Sequence, residues 1–139
     1  MNSFFKPLSQ QQLADMPILS VAHVGDGVYE LLARTHVAQT CAKSAEKMHR
    51  ETVRLVSAEA QAEAARHLFP ILSEDEVSCF MRGRNAHPKT VPKRITGGDY
   101  LYATALEALF GMLHLTGRQA RISELWQQVV KGEPASESE

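Results

Sequence analysis

The sequence predicts an all-α fold, on three observations. No stretch sustains the apolar–polar alternation of a half-buried strand. Apolar residues recur instead at three- and four-residue spacings, as in Val21, Val24, Val28, Leu31 and Leu32. The segments carrying that period are bounded by serines, prolines and glycines placed where helices start and stop. At 139 residues, with 44% hydrophobic and 22% charged content, the chain has the size and composition of one globular domain with a sizeable core.

Taken in order, Ser9 is expected to cap a short helix over Gln10 to Ala14. Pro17, whose missing N–H is unpaired in a first turn anyway, opens a long helix to about Ala38. Ser44 caps a helix carrying Met48, Val53, Leu55 and Val56, and Ser57 starts another over Ala58 to Phe69, ended by Pro70. Ser73-Glu74-Asp75-Glu76 reads as a capping box before Val77, Phe80 and Met81. From Arg82 to Gly98 the period stops, and Pro88, Pro92, Gly97 and Gly98 exclude a continuous helix. Asp99 opens a helix to about Leu115 with a wide apolar face, stopped by Gly117. A last helix covers Arg121 to Val130, with Gly132 as its C′ residue. We expect the domain to occupy residues 1–132 and the acidic tail 133–139 to be disordered.

No apolar run approaches the roughly 20 residues of a membrane helix, and the first ten residues lack the pattern of a signal peptide. Cys41 and Cys79 lack metal-ligand spacing, and with no leader they suggest a reducing, cytoplasmic setting with inert thiols. The net charge of −1 does not advertise nucleic-acid binding. Three of the 16 acidic residues lie in the tail, however, and without them the 15 basic residues outnumber the acids by two.

Gly25-Asp26-Gly27 stands in the middle of the long helix, although each glycine costs about 1 kcal/mol there relative to alanine. Two physical gains are available: close approach of another backbone, and a carboxylate held at a fixed point in a cleft. We expect both. Glu107 is the second acid set among small and apolar residues, in Thr104-Ala105-Leu106-Glu107-Ala108-Leu109. A single mid-helix acid more often faces solvent or pairs with a base. The flanking glycines and apolar neighbours weigh against that here. Should Asp26 and Glu107 converge, they supply hard oxygen ligands suited to Mg²⁺. Glu30, one turn after Asp26, is either a supporting acceptor or a surface residue.

The basic residues form two sets. Arg82, Arg84, Lys89, Lys93 and Arg94, with Asn85 and His87 and no acid among them, suit a phosphate-binding loop. A merely solvated loop is the competing reading. Lys43, Lys47, Arg50 and Arg54, with His49, place a basic face on the helix capped by Ser44. With 6% aromatic residues there is no stacking platform for single strands, so backbone recognition of duplex RNA fits better.

Val24-Gly25-Asp26-Gly27-Val28 resembles the catalytic-helix motif of the ribonuclease III family. The rest of the chain resembles the family's short bacterial branch, through Val56 to Glu63, Arg82-Gly83-Arg84-Asn85-Ala86, Val91-Pro92-Lys93 and Tyr100 to Gly111. The resemblance implies an all-α homodimer that cuts double-stranded RNA with Mg²⁺ and matures the ends of large-subunit (23S) ribosomal RNA precursor. Whether a ribosomal protein on that substrate takes part stays open. Asp26 and Glu107 match the catalytic, metal-holding pair. Ala22 and Thr104 replace two further acids of the larger enzymes, leaving Glu30 and Thr104 as supporting positions and the metal count open. Arg82, Arg84, Asn85, Lys89 and Lys93 match the branch's RNA-contacting insertion, and Lys47, His49 and Arg50 are further RNA-binding candidates. The rival readings are an inert RNA-binding or ribosome-assembly module of the same fold and a structural all-α protein. Retention of both acids counts against the first, and the acid-free basic segment against the second.

Overall fold

One helix, Gly97–Leu115, is enclosed by the others, and it explains why the rest of the chain sits where it does. The structure is a computed structural model and describes residues 5–41, 44–86 and 97–132. Within these, the helices are α1 (Gln10–Ala14), α2 (Ile18–Thr40), α3 (Ala45–Val56), α4 (Ala58–Leu68), α5 (Glu74–Arg84), α6 (Gly97–Leu115) and α7 (Gln119–Lys131), with a 3₁₀ turn at Phe69–Ile71. Among the described residues there is no strand. The all-α expectation holds.

From Ala103 to Leu113 every residue of α6 is buried except Glu107. A helix apolar on all sides must be covered on all sides. Helices α2, α5 and α4 pack directly against it and α7 adds a smaller contact. Small residues set the distances. A Cβ on Gly25 of α2 would lie 1.6 Å from the Glu107 carbonyl oxygen, and one on Gly111 of α6 would lie 2.0 Å from the Val21 carbonyl oxygen. The two backbones therefore touch, with no room for a side chain at either point. Gly83 brings α5 close as well, though less so, its Cβ position 2.8 Å from that of Ala108.

This close approach corrects the stripe expected on α2. The buried residues are Val21, Ala22, Gly25, Tyr29, Ala33 and Val37, while Val24, Val28 and Leu32 are half-buried and Leu31 is 67% exposed. A ridge repeating every four residues, with glycine at the contact, packs closer to α6 than the bulkier stripe could, and it decides which face turns inward. Tyr29 then meets Phe110 and Trp126 edge-on, each with ring centroids 5.3 Å away.

The caps are as expected. Ser9 and Gln12 form a reciprocal capping box on α1, Ser44 accepts from the Lys47 N–H, and Ser57 accepts from the Ala60 N–H. On α5 the Ser73 N–H donates to Glu76 Oε1 at 2.9 Å. Several boundaries differ: helix α6 starts at Gly97 rather than Asp99, and helix α5 runs on to Arg84. Helix α4 stops at Leu68, and Pro70 sits inside the 3₁₀ turn. Helix α7 begins two residues early, at Gln119. Gly132 has φ −84°, so it ends α7 in right-handed conformation, whereas Gly117 takes the left-handed value of +78° after α6.

One buried ion pair ties α7 to α5. Glu76, 3% exposed, meets Arg121 through bonds of 2.8 and 2.9 Å, and Arg121 also donates to the Ile71 carbonyl at 2.8 Å. Burial pushes the Glu76 carboxyl up, but the Arg121 guanidinium and the Ser73 N–H outweigh it and hold the group below its usual range. No described helix is long and apolar enough to cross a membrane.

Candidate active site

Asp26 and Glu107 do converge. Glu107 is the single residue of the enclosed stretch of α6 that is not buried, and it looks out where Gly25 lets α2 approach. Because Gly25 rests on the Glu107 carbonyl, the next residue, Asp26, is brought to the Glu107 side chain, and the two carboxyl groups come within reach of each other. Asp26 itself is exposed. The glycines and apolar neighbours that weigh against a solvent-facing acid do so rightly for Glu107 but not for Asp26. One carboxylate is set into the protein, and the other stands at its surface beside it.

The electrostatics follow from this placement. Burial raises the pKa of Glu107, the negative charge of Asp26 and the hydrogen bond with it raise it further, and a hydrogen bond from Gln61 opposes them. The result is about 8, against an ordinary 4.5. Glu107 therefore keeps its proton at neutral pH unless a cation replaces it.

Gln61 was not singled out in the sequence. It lies in α4, is 4% exposed, and donates from Nε2 to the Val56 carbonyl at 3.0 Å. Its Oε1 is buried and has no hydrogen-bond partner. A signal was present, because Gln61 begins the stripe Gln61, Ala64, Ala65, Leu68 at helical spacing and all four are buried. A glutamine in an otherwise apolar stripe has to find polar partners inside the protein.

The supporting candidates have other partners. Glu30 forms a 2.9 Å ion pair with Arg34 one turn along α2. Thr104 is buried and its hydroxyl donates to the Tyr100 carbonyl of its own helix at 3.0 Å.

The basic candidates divide. Arg82 and Arg84 belong to the last turn of α5, and Asn85 is its C-cap, so the helix runs further than the sequence pattern indicated. Basic side chains stabilise that end of a helix, which accounts for the longer span. Arg84 lies over the Tyr102 ring at 5.4 Å and donates to Asn85 at 3.1 Å. Arg66 of α4 lies over the same ring at 4.7 Å and pairs with Asp99 at 3.2 Å. On α3, Arg50 pairs with Glu46 at 3.4 Å and Arg54 with the buried Glu51 at 3.3 Å, so its basic face is partly neutralised. Lys47 is half-buried, and His49 is exposed beside Arg34, Met48 and Thr52. His87, Lys89, Lys93, Arg94, Lys43 and the tail 133–139 lie outside the described residues. Both cysteines are buried thiols, and burial pushes Cys79 up to about 11.

Residues 19–118 match the family model of the ribonuclease III domain. The chain is 38% identical over 127 aligned positions to the Mini-ribonuclease 3 of Thermoanaerobacter sp. (strain X514), covering 89% of each. It is 39% identical over 139 aligned positions to that of Desulfitobacterium hafniense (strain Y51), covering 90% of this chain and 86% of the other. The crystal structure of a protein from Fusobacterium nucleatum superposes with a TM-score of 0.80 at 28% identity, covering 88% of this chain and 98% of that one. With the match running from the first turn of α2 to just past α6, through both carboxylates, the chain belongs to the ribonuclease III family, beside the Mini-ribonuclease 3 proteins, and is an endoribonuclease.

Proposed function

We propose that this endoribonuclease cuts double-stranded RNA with Mg²⁺ held by Asp26 and Glu107, and that its substrate is the precursor of 23S ribosomal RNA, processed at its ends in the cytoplasm. One observation carries the reading: the carboxyl of Glu107, set into the protein, meets the carboxylate of Asp26, and the pair is costly to ionise without a cation. The donors suit the ion. Mg²⁺ takes oxygen ligands, commonly one or two carboxylates with water and substrate phosphate completing its shell. Among the described residues no group of three or more His, Cys, Asp or Glu side chains is arranged to hold a metal, so two carboxylates are the expected protein share.

When bound, Mg²⁺ lowers the pKa of water and offsets charge building on the phosphodiester. The protein's own contribution is placement. Exposed Asp26 faces the side from which RNA arrives, while Glu107 is fixed on the rigid central helix. In the hydrolysis, water oxygen bonds to phosphorus and the bond to the 3′ oxygen breaks, with the water proton going to that oxygen. The ends are a 5′-phosphate and a 3′-hydroxyl. Arg82 and Arg84, at the end of α5, contact the duplex backbone together with Asn85, Lys89 and Lys93, and Lys47, His49 and Arg50 extend the surface. Two subunits put one site opposite each strand, so the working form is a homodimer.

The test is cleavage of a long double-stranded RNA by wild type with Mg²⁺, by Asp26→Asn, and by wild type with EDTA. Cutting by wild type with Mg²⁺ alone is expected. Cutting by Asp26→Asn at the wild-type rate places the chemistry elsewhere, and full activity in a species that sediments as a monomer removes the dimer.

A further inference from the structure

Among the described residues the site brings together two carboxylates, and the orientation of each decides whether both can face one cation. Asp26 reaches Glu107 from an exposed position on α2. Glu107 has a flexible side chain on a fixed helix. The side chain of Gln61, on the buried face of α4, comes within reach of it.

The orientation of that amide is determined by its surroundings. The Val56 carbonyl can only accept, so the amide nitrogen must face it, and the 3.0 Å bond leaves no alternative in which oxygen and nitrogen exchange places. Val56 is the last residue of α3 and Gln61 lies in the first turns of α4, so the bond closes the corner between two helices onto the glutamine. The anchored amide has its second N–H free for the Glu107 carboxylate, and the cost is the buried Oε1 that finds no donor. Buried polar atoms without partners are rare and expensive. A hydrophobic residue here would continue the alanine stripe and avoid that expense altogether.

We propose that Gln61 is a positioning residue, whose amide, anchored on the Val56 carbonyl, turns the Glu107 carboxylate toward Asp26 so that both present oxygens to the same divalent ion. The inference rests on the reading of Asp26 and Glu107 as an ion site. Residues that orient a metal ligand commonly change ion affinity or activity ten- to a hundredfold when replaced.

The experiment is Mn²⁺ binding to RNA-free protein, by calorimetry, for wild type, Asp26→Asn and Gln61→Met, the last keeping side-chain length without the amide. Weakening of ion binding by tenfold or more in Gln61→Met is expected, with kcat on duplex RNA reduced and KM unchanged. A lower melting temperature with wild-type ion affinity and kcat makes Gln61 a packing residue and overturns the proposal. Loss of binding in Asp26→Asn with retention in Gln61→Met overturns the role of Gln61 alone, whereas absence of binding by wild type overturns the ion site with it. A measurement on the unsubstituted residue covers a variant that does not fold. The buried side-chain amide of Gln61, followed by ¹⁵N NMR, should shift on addition of Mg²⁺ to wild type and remain unmoved in Asp26→Asn. An amide indifferent to the ion in wild type also overturns the proposal.

Discussion

In the proposed site Glu107 is at once a burden to the free protein and a ligand its activity depends on. In the folded chain its carboxyl holds a proton up to a pKa of about 8, through burial and the charge of Asp26, against 4.5 when those influences are removed. An acid whose folded pKa is raised destabilises the fold as the unfolded chain loses its proton first. Stability in the absence of divalent ions should therefore fall as pH rises from about 4.5 to about 8, then level off. Glu107→Gln removes the ionisation and should be more stable than wild type at pH 8 in EDTA, by about 1–3 kcal/mol. The difference should shrink at pH 5 and narrow again at pH 8 when Mg²⁺ binds wild type. Thermal melts at the two pH values check this, and a wild type as stable at pH 8 as at pH 5 contradicts it. The substitution that stabilises should also abolish cleavage.

At the scale of elements, the contact between α2 and α6 does two things at once. It buries the four-residue ridge of α2, and it places residue 26 beside residue 107. The two glycines of the motif are unequal in this. Gly25 has the Glu107 carbonyl where its Cβ would be, while Gly27 is exposed with nothing within 4 Å of its Cβ position. Gly25→Ala should cost about 3 kcal/mol or more, since rigid backbone rather than a flexible side chain has to move. Gly27→Ala should instead stabilise the helix by about 1 kcal/mol, from propensity alone. Denaturant titration of both variants measures the contrast. A destabilised Gly27→Ala would mean that a second chain packs against that face, the close approach expected of both glycines from the sequence but found within one chain only for Gly25.

At the scale of the whole molecule, the described cations differ in what they meet. Several cations of the described surface are neutralised locally, as in Arg50 with Glu46, Arg66 with Asp99 and Arg121 with Glu76. Arg84, stacked on Tyr102 and bonded to Asn85, is held at the end of α5 without a carboxylate in those contacts. Each phosphate contact made by such a group releases about 0.9 of a counterion from duplex nucleic acid. Replacing Arg82 and Arg84 together by alanine should reduce the slope of log K against log salt by about two, while kcat at saturating RNA stays near wild type. Binding measured between low and moderate salt checks it. An unchanged slope removes the end of α5 from the interface.

The sequence by itself determined the helices, because caps, prolines and periodicity are local: Ser9, Ser44 and Ser57 each receive the backbone N–H expected of them. It also marked both acids, since a glycine-flanked Asp26 and a Glu107 among alanines and leucines are locally unfavourable choices. The resemblance to the ribonuclease III family was legible in the same residues. What only the tertiary structure decided was orientation. Spacing on α2 fitted a stripe through Leu31, but backbone contact at Gly25 turned Tyr29 inward and left Leu31 outside. Likewise, no local rule tells that Asp26 stays in solvent while Glu107 does not, or that a glutamine of α4 reaches the second acid. Those facts depend on which helices pack and how closely, and closeness is set by pairs of small residues far apart in the chain.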